Sequence, residues 1–234
     1  MYTMYEYRIE VEFLDFLSSV LRFSLEELPY VIIALLIAFT IHEFAHAYVA
    51  YKFGDPTAKN QGRLTLNPIE HIDPIGTILI LIAGFGWARP VPVNRSHFKN
   101  PRLAGILVSV AGPLSNLLIA IIGFIVWYGL LGLGVGMDSF EFIPNLLNTI
   151  IHLNILLFVF NLLPFPPLDG YRIIEDLAPV HLRAKMTQFE QYGALIFLIL
   201  VLTPLDHYTI QPIFNTVIPF VMSGLNEFFY NLFL

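Results

Sequence analysis

The chain has 234 residues, 56% of them hydrophobic and 13% charged, with a mean hydropathy of +0.70 and a net charge of −6. About a quarter of the residues in a soluble domain are charged, so this deficit excludes an ordinary water-soluble fold and predicts a polytopic membrane protein. No cysteine is present, which excludes disulfides, thiolate metal sites and cysteine nucleophiles, and the acidic balance argues against a nucleic-acid partner.

In chain order, residues 1–28 mix acids with Phe13, Phe16, Leu17, Val20, Leu21 and Leu25 at helical spacing, which predicts an amphipathic segment at the membrane interface. Glu6, Glu10, Glu12 and Asp15 stand where a signal peptide would carry basic residues, so no cleavable signal is expected. Residues 29–53 predict the first span, with Pro29 in its first turn and Gly54 at its end. Asp55-Pro56 and Asn60-Gln61-Gly62 are turn signals, and Arg63 to Leu66 alternates, so a small β-hairpin is expected there. The apolar run from Ile75 to Phe85 is short for a crossing and is flanked by Pro74, Gly84, Gly86 and Pro90. It predicts a re-entrant loop, followed by an extended Val91-Pro92-Val93. Residues 102–131 predict a second span, broken early by Gly112-Pro113, and 142–163 a third, ending at Pro164. Residues 189–203 and 208–233 are two further candidates.

The expected fold is therefore an all-α polytopic membrane protein of about five to six transmembrane helices. It carries a hairpin and re-entrant segment over 55–93 and has three parts: an N-terminal segment 1–28, a membrane core 29–175 and C-terminal helices 176–234. Ten of the twelve Lys and Arg residues fall in three groups, at 52–63, 89–102 and 172–185. If the apolar run re-enters, all three groups share one face, and the positive-inside rule makes that face cytoplasmic.

His42 and His46 are four residues apart, so a helix stacks them on one face, where two imidazoles can bind one Zn²⁺. Glu43 lies beside them, placed to take a proton from an activated water. From Val31 to Val49 no other side chain is charged. Ionisable groups in a membrane are costly and mark function by default. The bland alternative is a pair of structural histidines. A catalytic zinc site needs a third protein ligand, and spacing does not choose among His71, His97, His152, His181, His207 and the acids. Asp169 is attractive because Pro164, Pro166 and Pro167 force non-helical chain before it, which is tolerated at membrane depth only inside protein or at a wet cavity. Its alternative role is a helix N-cap. His71 and Asp73 read first as turn residues beside Pro74.

Three stretches resemble the signatures of the site-2 protease family, the intramembrane zinc metalloproteases of peptidase family M50. They are His42-Glu43-Phe44-Ala45-His46, Gly112-Pro113-Leu114-Ser115-Asn116 and Asn161 to Gly170, read Asn-Leu-Leu-Pro-Phe-Pro-Pro-Leu-Asp-Gly. Gly62 to Pro68, His71 to Pro74 and Gly86 to Val93 resemble the short prokaryotic subgroup without a PDZ domain. The resemblance covers about residues 40–175. It implies one Zn²⁺ per chain on His42, His46 and Asp169, with Glu43 as general base. Asn161 would contact substrate backbone or the oxyanion, and Gly112, Pro113 and Asn116 would pack or position substrate. It further implies cleavage of a transmembrane protein substrate within or near its span, in a prokaryotic cell membrane; the charge pattern turns the active-site side toward the cytoplasm. A metal-handling or transport protein and an inactive scaffold are the alternatives; Glu43, which hydrolysis needs and metal passage does not, speaks against the first, and the filled catalytic positions speak against the second. Dimerisation is left open.

Overall fold

The computed structural model describes residues 20–135 and 141–234, and every regular element among them is helical. The helices run α1 (Leu28–Lys52), α2 (Thr57–Asn60), α3 (Pro74–Ala83), α4 (Pro101–Gly132), α5 (Phe142–Asn161), α6 (Asp169–Leu177), α7 (Val180–Glu190), α8 (Gly193–Leu202), α9 (Asp206–Thr209) and α10 (Gln211–Phe233). Most of the expected N-terminal amphipathic segment lies outside the described residues.

Local chemistry sets the ends of these helices. Before α1, Ser24 and Glu27 satisfy each other's backbone N–H at 3.0 and 3.3 Å. Pro29 occupies the first turn, and the chain leaves through Gly54 at φ 101°. Asn100 caps α4 by accepting from the Leu103 N–H at 3.3 Å. Helices α1, α4 and α5, of 25, 32 and 20 residues, are long and apolar enough to cross a membrane. They pack against one another as the central bundle. At Gly123 a methyl group would lie 2.6 Å from Ile151, so α4 and α5 approach closely there. Ala120, Phe124 and Tyr128 of α4 pack with Ile151 and Ile155 of α5 and Phe229 of α10 to fill the core beside that contact.

Three of the expected five to six spans are present by length and composition. Helix α8 has 10 residues, a rise of about 15 Å, half of a hydrocarbon core. Helix α10 has 23 residues but carries Gln211, Asn215, Asn226, Glu227 and Asn231, and it is not among the helices apolar enough to cross. The Tyr128 hydroxyl donates to Asn226 at 2.7 Å and ties α10 to α4.

The link between α1 and α4 corrects the hairpin expectation. Residues 61–67 form turns, with no strand ladder among the described residues. Their polar backbone groups are taken elsewhere: the Arg63 N–H donates to Ala58 O at 2.8 Å and Thr65 O accepts from the His71 ring at 2.8 Å. Alternation alone does not make a strand when no partner strand is in reach. Helix α3, capped by Asp73 and stopped at Gly84 with φ 77°, is too short to cross. The chain then returns past its own start. A methyl group on Gly76 would stand 2.1 Å from Trp87 O, and one on Gly86 would stand 2.0 Å from Gly76 O. The short helix and the returning chain thus lie side by side.

Buried Asp55 fastens the far end of this return to the end of α1. Its carboxylate accepts from Thr57 N at 3.0 Å, His97 Nδ1 at 2.8 Å and Asn94 N at 2.6 Å. Burial alone would push this carboxyl up, but the donors from Thr57, His97 and Asn94 outweigh it and hold it below the ordinary value.

Candidate metal centre

Helix α1 places His42 and His46 one turn apart, with their Nε2 atoms 3.0 Å from each other. The proline-rich turn after α5 delivers Asp169, whose Oδ2 lies 3.3 Å from both. A tetrahedral site with bonds of about 2.0–2.1 Å has edges of about 3.3–3.4 Å, and this triangle is close to one face of such a tetrahedron. The three residues form a group able to hold a metal ion.

The hydrogen bonds behind the rings decide which atoms face the centre. His46 Nδ1 lies 2.6 Å from Val108 O, a group that only accepts. His42 Nδ1 lies 2.7 Å from Asn116 Oδ1. Asn116 donates in turn to Asn154 Oδ1 at 2.9 Å, and Asn154 donates to Ile150 O at 2.8 Å. That last carbonyl sets the direction of the whole relay. Both histidines therefore carry their proton on Nδ1 and present an Nε2 lone pair. Asp169 Oδ2 is buried and has no hydrogen-bond partner. Three acceptor atoms with no donor between them repel one another in a buried site unless a cation joins them.

Asp169 is the first residue of α6, and the N-cap position belongs to Leu168. The capping alternative for Asp169 is thus set aside. Glu43 is 7% exposed and accepts the Val91 N–H at 2.8 Å. Asn161 lies across the same cavity, where one amide hydrogen bonds Leu157 O at 3.0 Å and the other is left over. The cavity has a volume of about 380 Å³, and Phe39, Trp87, Phe160 and Phe197 supply apolar wall.

Asn116 is fully buried, with its polar atoms taken by His42, Asn154 and Ala38, so its place is behind the metal group as a support for His42. Gly112 faces the histidine pair. A methyl group there would lie 2.3 Å from His46 Nε2 and 2.5 Å from His42 Cε1. Pro113 is buried inside α4 and removes one helical N–H. His71 stands outside the metal group: it is fully buried and bonds Thr65 O. Asp73 caps α3, as the turn reading expects.

Sequence reasoning missed Asn154, Val108 and the Val91 N–H. Asn154 left a signal, an amide in the middle of an apolar span, which needs a partner. The two backbone groups leave none.

A family profile described as peptidase family M50 matches residues 129–204. The protein "Putative zinc metalloprotease YwhC" of Bacillus subtilis (strain 168) is 60% identical over 203 residues, covering 83% of this chain and 90% of its own. "Putative zinc metalloprotease Rip2" of Mycolicibacterium smegmatis is 31% identical over 188 residues, 74% of this chain and 67% of its own. "Putative zinc metalloprotease MJ0611" of Methanocaldococcus jannaschii is 29% identical over 172 residues, 71% of this chain and 80% of its own. No solved structure matches. The chain belongs to peptidase family M50.

Proposed function

We propose that this member of peptidase family M50 is an intramembrane zinc endopeptidase that hydrolyses a peptide bond in or near a transmembrane segment of another membrane protein. One observation carries the reading: the convergence of His42, His46 and Asp169 on a single point beside Glu43, with both histidines and the glutamate on a helix apolar enough to cross a membrane. His42, His46 and Asp169 would hold one Zn²⁺ per chain. Zinc so held supplies Lewis-acid chemistry, acidifying water and polarising a carbonyl.

The chain's own residues do the rest. Glu43 takes a proton from the attacking water as its oxygen bonds the scissile carbonyl carbon. The same carboxyl then gives that proton to the amine nitrogen as the carbon–nitrogen bond breaks. The unspent N–H of Asn161 is a donor for the developing oxyanion. Asn116 and the Val108 carbonyl keep the imidazoles aimed while this happens. The aromatic walls receive an unwound stretch of substrate and keep bulk water away. The three basic groups support a cytoplasmic setting for the polar connections.

Purification in detergent, metal analysis and cleavage of a panel of labelled single-span membrane proteins by wild type and Glu43→Gln test the reading. Stoichiometric zinc in both, with cleavage lost in the variant alone, is expected. Wild type without zinc, or equal cleavage by both, refutes it. A reporter fused after Lys99 tests the orientation, and an extracytoplasmic signal there overturns it.

A further inference from the structure

Three motifs from the sequence supply no reacting group in the chemistry above: Gly62 to Pro68, His71 to Pro74 and Gly86 to Val93. The structure knots them together behind Glu43. Arg63 is 4% exposed, and its guanidinium donates to Arg89 O at 2.6 Å and Pro90 O at 3.3 Å. The Arg89 N–H donates to His71 O at 2.9 Å, and the His71 ring reaches back to Thr65 O at 2.8 Å. Residues 63–71 and 89–90 thereby hold each other in both directions.

The next residue after this knot is Val91, whose N–H meets Glu43 Oε2 at 2.8 Å. Pro90 and Pro92 flank it and have no N–H, so Val91 supplies the single backbone donor of that triplet. The extended chain is fixed again three residues on, where Asn94 N meets Asp55 at 2.6 Å. Its aim at Glu43 is set from the Arg63 end, because the two clamped carbonyls belong to the residues immediately before it. A guanidinium fork reaches two adjacent carbonyls in one plane, and an ammonium does so less well.

We infer that Arg63 is a positioning residue for Glu43: by clamping the Arg89 and Pro90 carbonyls it keeps the Val91 N–H on one carboxylate oxygen and leaves the other for proton transfer. The inference rests on the hydrolytic reading of the site. It assigns a task to the polar connection after α1 that a mere surface loop would not have. It also explains why these motifs lie apart in the chain, since each supplies one side of the same knot.

Hydrogen exchange of the full-length, zinc-loaded protein in detergent reads the clamp directly. In Arg63→Ala the amides of Arg89 and Val91 should exchange at least about tenfold faster, with α1 still protected and zinc content unchanged. Cleavage of a single-span substrate should lose roughly tenfold to a hundredfold in kcat, the range for one lost charge-assisted hydrogen bond, at nearly constant KM. Arg63→Lys should recover part of both. Glu43→Ala should free the Val91 amide and leave Arg89 slow. Unchanged exchange and kcat in Arg63→Ala overturn the inference. So does equal loss of zinc and of α1 protection in both Arg63 variants, which would make the residue a general brace. Wild type that holds no zinc overturns the proteolytic reading itself, and the exchange result then still decides whether the clamp exists.

Discussion

Replacing Gly112 with alanine sets two effects of opposite sign against each other. Alanine favours a helix interior over glycine by about 1 kcal/mol, so α4 alone gains from the change. The new methyl group, however, would lie 2.3 Å from His46 Nε2 and 2.5 Å from His42 Cε1, where ordinary contact begins at 3.4 Å. Either the rings or the helix must move by about 1 Å, whereas a metal site tolerates about 0.2 Å in its bonds. If the rings move, the triangle of 3.0, 3.3 and 3.3 Å opens. If α4 moves, the His42–Asn116 bond of 2.7 Å lengthens beyond hydrogen-bonding range. Both routes cost far more than the helix gains. We expect at least about a hundredfold loss of zinc affinity, about 2.7 kcal/mol, with helical content preserved. Competition with a fluorescent chelator measures the affinity and circular dichroism the helix. A Gly112→Ala protein that binds zinc as tightly as wild type refutes the reasoning.

Three other outcomes follow from the same geometry. Asn116→Leu should weaken zinc by about 10–100-fold, the usual effect of losing a partner of a metal-bound histidine, and Asn154→Leu should weaken it less; equal affinities in all three proteins, by the same chelator titration, contradict the relay. Removal of zinc by 1,10-phenanthroline should lower the melting temperature as well as stop cleavage, and stability should return in proportion to the logarithm of added free zinc; a melting temperature indifferent to zinc contradicts a bound site. Asp55 titrates lower in the folded chain than in the unfolded one, so its stabilisation is fully present above its unfolded value and fades as pH falls through the depressed folded value. Asp55→Asn should therefore melt below wild type at pH 5–8, with the gap narrowing only below about pH 4; a gap that narrows between pH 6 and 8 points to another group.

What was legible in the sequence was local. Pro29 and Gly54 mark the ends of α1, Pro74 and Gly84 those of α3, and the five residues from His42 to His46 mark two of the three members of the metal group. These signals act within a turn or two of themselves. Asp169 was attractive on the chemistry of its prolines, but no spacing rule joins it to His46. Arg63 to Leu66 misled because alternation speaks of two faces and not of a partner strand, and here the Arg63 and His71 side chains occupy the backbone groups a ladder would use. Two C-terminal runs looked like spans by apolar content; α8 lacks the length and α10 is studded with amides. Asn116 and Gly112 were visible as a motif, yet their service to His42 exists only once α4 lies against α1.

Two members of the metal group sit 123 residues apart, His46 on α1 and Asp169 beyond α5. At synthesis rates of about 5–20 residues per second, a growing chain exposes its histidine pair for about 6–25 s before the aspartate emerges. Under the proposed reading, the nascent polypeptide in that interval would have the base and two of the ligands but not the third, so it would neither hold the metal firmly nor cut. Maturation would thereby be tied to completion of the helical bundle. A bound ion would report that the turn after α5 has reached α1, and a chain misthreaded after α1 would be inert rather than a free-running protease.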